Sequence, residues 1–70
     1  MDYKILRKVM EERNVSEESL AERLKMKKET LWKKLCGRQE FVLFEIKIIA
    51  DFLSLGNDEI INIFFDEKVS

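Results

Sequence analysis

The segment from Ser16 to Arg38 carries apolar residues at helical spacing on both sides of a short polar interruption. Apolar residues that recur three or four positions apart lie on one face of an α-helix. The positions that follow this spacing are Leu20, Ala21, Leu24, Leu31 and Leu35. Because the spacing breaks at Lys25 and Met26, the segment predicts two short helices joined by a tight turn.

The composition limits the rest of the chain to a small helical domain. A chain of 70 residues builds one core, and a core of that size leaves the free energy of unfolding small. Apolar residues make up 46% of the chain, while two glycines and no proline leave little material for the turns of a sheet protein. We therefore expect one all-α domain, and both a monomer and a dimer are compatible with its size.

The same periodicity predicts three more helices, which makes five short helices in all. In the first helix the inward residues are Ile5, Leu6, Val9 and Met10, and in the fourth they are Leu43, Ile46, Ile49, Ala50 and Leu53. The fifth helix contains Ile60, Ile61, Ile63, Phe64 and Phe65. We expect the helical domain to span residues 1–66 and residues 67–70 to form a frayed tail.

Capping residues set the expected helix ends. The first helix is expected to begin at an Asp2 cap and to end at Asn14. Ser16 is expected to cap the second helix, Gly37 to end the third and Gly56 to close the fourth. Asn57 or Asp58 is the expected cap of the fifth helix, and Phe41 is expected to cover the core from the loop before the fourth.

Charge is distributed unevenly along the chain. The formal net charge is −1, but residues 17–38 contain seven basic and four acidic side chains, whereas residues 39–70 contain two and seven. Because binding depends on the local field, a basic middle segment is compatible with docking on phosphates in spite of the total. The alternative interpretation is that these lysines only keep a helix surface solvated.

Residues that the chain lacks, or carries once, disfavour several functions. There is no histidine, and the single Cys36 has no partner within the chain for a disulfide, a zinc set or a nucleophilic pair. We therefore expect no enzyme activity, no cofactor and no metal. No apolar run approaches the roughly 18 residues of a membrane span, so we expect a cytoplasmic protein without a membrane partner.

A helix-turn-helix needs a small residue where its helices touch, apolar residues that fix their angle, and an outward face that enters the major groove. Ala21, Leu24 and Leu31 meet the first two needs. The stretch "SLAERLKMKKETLWKKLCGRQEFVLFEIKIIADFLSLGNDEIINIFF" resembles the lambda-repressor-like, or Cro/C1-type, helix-turn-helix family, in particular its short prophage regulators. The resemblance covers about residues 16–65 and implies a repressor or Cro-type transcriptional regulator that binds double-stranded DNA as a homodimer.

The resemblance also implies which residues lie against DNA. On the third helix these are Lys27, Lys28, Glu29, Trp32 and Lys33, while Glu17, Lys25 and the loop from Arg38 to Val42 lie beside the backbone. The helical wheel supports this independently, since positions 28, 29, 32 and 33 lie opposite Leu31 and Leu35. We expect counterions to be displaced from DNA by Lys25, Lys27, Lys28, Lys33, Lys34 and Arg38.

Five positions depart from the pattern of the family. Glu17 replaces a glutamine, and its carboxylate repels phosphate. Lys25 replaces a turn glycine, which costs about 1 kcal/mol if the turn keeps a positive φ. Lys27 and Val42 replace side-chain caps, at a cost of about 1 kcal/mol each. Trp32 places an aromatic ring on the outward face, where it either packs on a thymine methyl or sugar or folds back over the helix.

A second apolar stripe is predicted outside the core. Phe44, Ile48 and Phe52 repeat at i, i+4 and i+8 on the fourth helix, opposite its core face. Ile61 and Phe65 fall off the core face of the fifth helix. These five residues predict a dimer interface or a surface for a protein partner, unless the fifth helix buries them within the chain.

Two other functions compete with DNA binding. The first is a protein-interaction module, natural or engineered, that uses an apolar patch around Trp32, Val42 and Phe44. The five lysines between positions 25 and 34 are not what this hypothesis predicts. The second is an oligomeric structural protein that uses the C-terminal apolar residues alone.

Overall fold

The computed structural model describes residues 3–65, and this range folds into five α-helices. They are α1 (Lys4–Glu12), α2 (Glu17–Leu24), α3 (Lys28–Leu35), α4 (Leu43–Leu53) and α5 (Asn57–Phe64). No residue between positions 3 and 65 lies in a β-strand. The predicted all-α class and the five helices are therefore confirmed, whereas the Asp2 cap and the tail at 67–70 lie outside the described residues.

One hydrophobic core lies between the helices. Its fully buried side chains are Leu6, Leu20, Leu31, Leu35, Ile49 and Leu53, and α5 adds the buried Ile63. α2 packs against both α3 and α4. The small side chain of Ala21 is buried in α2, and a small residue at a helix contact lets the neighbouring helix approach closely.

Two residues predicted to face the core are exposed instead. Leu43 is 72% exposed because it is the first residue of α4, while Phe41 joins the core from the preceding loop as predicted. Ile5 is 49% exposed because it lies about 100° around α1 from Leu6, past the edge of the inward stripe. Helical spacing placed both residues near the core face, but their positions at a helix end and at a stripe edge leave them in solvent.

A three-residue turn joins α2 to α3. α2 begins at the predicted Ser16 cap, whose Oγ accepts the backbone N–H of Ser19 at 3.0 Å. Lys25 ends α2 in the left-handed conformation, with φ 57° and ψ 42°. The backbone N–H of Met26 then donates to the Ala21 carbonyl at 3.0 Å. The turn thus keeps the positive φ on which the expected strain depended, and a lysine in this conformation costs about 1 kcal/mol relative to glycine.

Two other helix ends differ from the prediction. α1 ends at Glu12, and Asn14 lies beyond it with φ 57°. α4 ends at Leu53 because Ser54 adopts the left-handed conformation, with φ 56°. Gly56, which was expected to close α4, lies two residues further on in an extended conformation. Small polar residues can adopt the left-handed conformation without a glycine. The prediction for α3 is confirmed, since Gly37 follows that helix with φ 86°.

The cap of α5 is Gly56, whereas the predicted caps Asn57 and Asp58 are the first two helical residues. The carboxylate of Glu59 accepts the backbone N–H of Gly56 at 3.0 Å, so the third residue of the helix satisfies the donor before it. This hydrogen bond is the largest cause of the lowered pKa of Glu59, and the nearby charge of Arg13 acts in the same direction.

Three aromatic rings close the end of the core near the α3–α4 loop. Tyr3 and Phe41 have ring centroids 5.1 Å apart, and Phe64 lies 5.8 Å from each of them. This cluster joins the residue before α1 to the loop and to α5. Burial raises the pKa of the Tyr3 hydroxyl, and the charge of Glu40 raises it further.

Candidate nucleic-acid interface

The two sides of α3 differ sharply in exposure. Leu31 and Leu35 are completely buried. On the opposite side, the four predicted DNA-facing residues Lys28, Glu29, Trp32 and Lys33 are all exposed. The packing of α3 therefore leaves one face with two lysines, one glutamate and one indole exposed to solvent.

Further cations lie at both ends of α3. Lys25 and Lys27 are exposed in the turn before the helix, and Arg38 is exposed just after it. The Lys27 side chain does not cap α3, as predicted. These three residues extend the basic surface beyond the eight residues of the helix itself. We call the surface formed by Lys25, Lys27, Lys28, Glu29, Trp32, Lys33 and Arg38 the α3 face.

Trp32 and Arg38 form a stacked pair on the α3 face. The Arg38 guanidinium carbon lies 5.5 Å from the centroid of the Trp32 ring, within the range of a cation–π contact. Trp32 is 43% exposed, so part of its indole remains open to solvent. The ring therefore neither folds away into the core nor stands alone in water.

Glu17 lies in the first turn of α2 and is half-buried. It lines a shallow surface groove with Arg7 and Glu11 of α1. A carboxylate in the first turn is favoured by the positive end of the helix dipole. This position suits the stability of α2, while the same negative charge would oppose an approaching phosphate.

Lys34 was predicted to displace counterions from DNA, and its position in the structure contradicts that role. It is only 8% exposed, and its Nζ donates to both carboxylate oxygens of Glu45, at 2.6 and 2.8 Å. Its ammonium also lies 5.9 Å from the centroid of the Phe41 ring. Lys34 points inward because it lies about 60° around α3 from Leu31, on the core side of the helix.

The Glu45 carboxylate makes hydrogen bonds both at the start of α4 and with α3. Its Oε1 accepts the backbone N–H of Val42 at 3.0 Å, and the backbone N–H of Glu45 donates to the Val42 carbonyl at 2.9 Å, so the start of α4 is hydrogen-bonded although the valine side chain cannot cap it. The same carboxylate pairs with Lys34 on α3. The pair therefore fixes the start of α4 against the end of α3. The sequence signals for it were the inward wheel position of Lys34 and a glutamate three residues after Val42, the residue that precedes α4.

The residues predicted to form an interface lie in different surroundings. Phe44 and Ile48 line a shallow groove on α4 with Lys47 and Asp51, which we call the α4 groove. The half-buried Phe52 lies under the Arg23 guanidinium at 5.1 Å.

The two interface residues predicted on the fifth helix lie elsewhere. Ile61 is exposed on α5, and the exposed Phe65 lines another groove with Tyr3, Glu40 and Phe41. The structure thus places these side chains on at least two surfaces.

The proposed apolar patch around Trp32, Val42 and Phe44 consists of exposed residues. Val42 and Phe44 lie at the start of α4, but Trp32 packs with Arg38. Among the aromatic contacts within residues 3–65, none joins Trp32 to Phe44. Within residues 3–65 the three side chains are therefore exposed, and the rings of Trp32 and Phe44 do not stack on each other.

No family model matches the chain, and neither the curated proteins nor the solved structures compared with it gave a match. The resemblance to the Cro/C1-type family therefore rests on the motif residues themselves. Within the described part of the chain, no helix is long and apolar enough to cross a bilayer.

Proposed function

We propose that the chain is a sequence-specific DNA-binding transcriptional regulator of the Cro/C1 type. In this proposal α2, the turn and α3 form a helix-turn-helix, and the α3 face enters the major groove. The observation that carries the proposal is the sidedness of α3: Leu31 and Leu35 are completely buried, while Lys28, Glu29, Trp32 and Lys33 on the opposite side are exposed. A helix anchored in this way fixes the backbone positions from which these side chains can reach a duplex.

The dimensions and charge of the α3 face suit a duplex. An α-helix with its side chains is about 10–12 Å in diameter, which fits a major groove about 12 Å wide, and the eight residues of α3 extend about 12 Å along the helix axis. Lys25, Lys27 and Arg38 flank the helix at its two ends, where phosphates border the groove. Lysine and arginine at such positions contribute affinity without reading sequence.

The side chains at the centre of the α3 face suggest the sequence preference. Lys28 and Lys33 can donate to the acceptors of guanine, and Glu29 can accept from the amino group of cytosine. α3 carries no asparagine or glutamine, the residues that pair best with adenine. We therefore expect G·C pairs to be enriched at the contacted positions of DNA selected from a random pool.

The direct test is fluorescence anisotropy of a labelled random duplex between about 50 and 200 mM salt. If all five exposed cations of the α3 face contact phosphates, the log–log salt slope approaches about −4.5 per subunit. Lys28→Ala or Lys33→Ala should weaken binding and reduce the slope by about 0.9. Lys8→Ala is the matched control, because Lys8 is an exposed lysine of α1, outside the α3 face.

Glu17→Gln adds a test with the opposite sign. Removal of this negative charge should tighten binding to any duplex, since an amide can donate to a phosphate where a carboxylate repels it. Circular dichroism checks that each variant keeps its helices. An absence of binding at about 50 mM salt with micromolar protein would refute the proposal.

A further inference from the structure

The α4 groove lies on the solvent side of α4, away from the core. Phe44, Lys47, Ile48 and Asp51 follow the spacing i, i+3, i+4 and i+7 and share one face. The buried residues Ile46, Ile49 and Leu53 occupy the opposite side of the same helix. Phe44 is 71% exposed although it is one of the largest apolar side chains of the chain. This face therefore combines apolar area with one cation and one anion.

The two charges of the α4 groove have no ion-pair partner within residues 3–65. The ion pairs of this range join Arg13 to Glu59 and Lys34 to Glu45. Lys47 and Asp51 are one turn apart on α4, yet they do not pair with each other. Asp51 also lies near the C-terminal end of α4, where the negative end of the helix dipole disfavours a carboxylate.

We propose that the α4 groove binds the same groove of a second copy of this chain, with the two α4 helices antiparallel. Lys47 of each chain then contacts Asp51 of the partner subunit, so two reciprocal ion pairs form. The two-fold axis passes near position 49, the midpoint between these residues, and brings the two Ile48 side chains together. Phe44, about 7.5 Å along the helix from the axis, covers the last turn of the partner's α4.

The charge order of the groove is what selects a second copy in this orientation. A two-fold axis perpendicular to the helix reverses the order of residues, so a cation followed by an anion faces an anion followed by a cation. Parallel pairing would bring like charges together and would align the helix dipoles unfavourably. Antiparallel pairing also places a positive charge beside Asp51, where the isolated helix does not supply one.

The size of the groove indicates a weak interface. α4 has 11 residues and is about 16 Å long. One pair of such helices buries less than about 1,200 Å², the lower limit of the surface area buried in a standard interface. We expect association at tens to hundreds of micromolar protein. The inference does not depend on DNA binding, because self-association is measured without DNA.

The experiment is analytical ultracentrifugation of the whole chain and of two charge-reversal variants, Lys47→Glu and Asp51→Lys. Each variant alone places like charges at both reciprocal contacts, so its dissociation constant should rise at least about tenfold. A 1:1 mixture of the two variants restores opposite charges at both contacts and should associate like the wild type. The double variant should also associate. Lys8→Glu, on the exposed surface of α1, is the matched control and should change nothing.

Three results would overturn the proposal. The first is a wild type that stays monomeric up to about 1 mM. The second is self-association that either single reversal leaves unchanged, which would place the interface on another surface such as α5. The third is a mixture of the variants that remains monomeric while circular dichroism shows both to be folded. Recovery in the mixture and in the double variant supports the antiparallel contact.

Discussion

The Lys34–Glu45 pair offers the sharpest test of how α3 is held. The two side chains are 10% and 17% exposed, and the ammonium lies 2.6 Å from the nearer carboxylate oxygen. Replacing Lys34 by alanine leaves a largely buried carboxylate with one remaining hydrogen bond, from the Val42 backbone. Breaking a buried pair in this way costs about 3–5 kcal/mol. Because both side chains keep some exposure, we expect the free energy of unfolding to fall by about 3 kcal/mol.

A loss of that size is a large share of the total stability. A 70-residue domain has a free energy of unfolding of about 3.5–10 kcal/mol. The melting temperature of Lys34→Ala should therefore fall by about 12–24 °C. Urea unfolding followed by circular dichroism at 25 °C gives the free energy directly.

A double-mutant cycle separates the pair from general packing. Lys34→Met keeps an apolar stem of similar length, and Glu45→Gln keeps an oxygen that can accept the Val42 N–H. Each single change should destabilise the chain, because it leaves one uncompensated charge. The combined change removes both charges and should recover most of the loss, since buried pairs are often replaceable together. The reasoning would be refuted if Lys34→Ala cost less than about 0.5 kcal/mol, or if the double variant lost the sum of the single losses.

Three further changes test separate features. Lys25→Gly should stabilise the chain by up to about 1 kcal/mol in urea unfolding, since it removes the positive-φ strain, while weakening DNA binding through the lost charge; unchanged stability would contradict the strain. Duplex DNA should quench or shift the emission of Trp32, and Trp32→Ala should weaken specific binding by about 1–3 kcal/mol; unchanged emission together with unchanged affinity would exclude this role. The pKa of Glu59 is lowered in the folded chain, so its contribution to stability is present above its unfolded pKa and is lost as the pH falls through the lower folded value. Glu59→Gln should reduce this loss of stability at acid pH, measured as melting temperature against pH. An unchanged profile would contradict the role of Glu59.

Local sequence determined where the helices form and, for most of them, which face points toward the core. Periodic leucines and isoleucines define an inward face wherever they occur, because the geometry of the helix sets the angle between residues. Ser16 and Gly37 act through hydrogen bonds and backbone conformations that involve only neighbouring residues, so their roles were predictable. The interruption in the apolar spacing located the turn, but the left-handed conformation of Lys25 was implied only by the resemblance, which places a turn glycine at this position.

Tertiary packing decided which residues near the edge of a helical face are buried. Spacing gives a direction around a helix axis but not the position of the next helix, so it counted Leu43 as a core residue. Lys34 was counted among the DNA-facing cations by its charge. The structure reverses both: Glu45 of α4 draws Lys34 inward, and Phe41 joins the core from the loop while Leu43, at the start of α4, stays in solvent. The stacking of Arg38 on Trp32 depends likewise on the path of the chain after Gly37. These contacts join residues of different elements, and only their placement in space determines whether a charge is open to a partner or already paired.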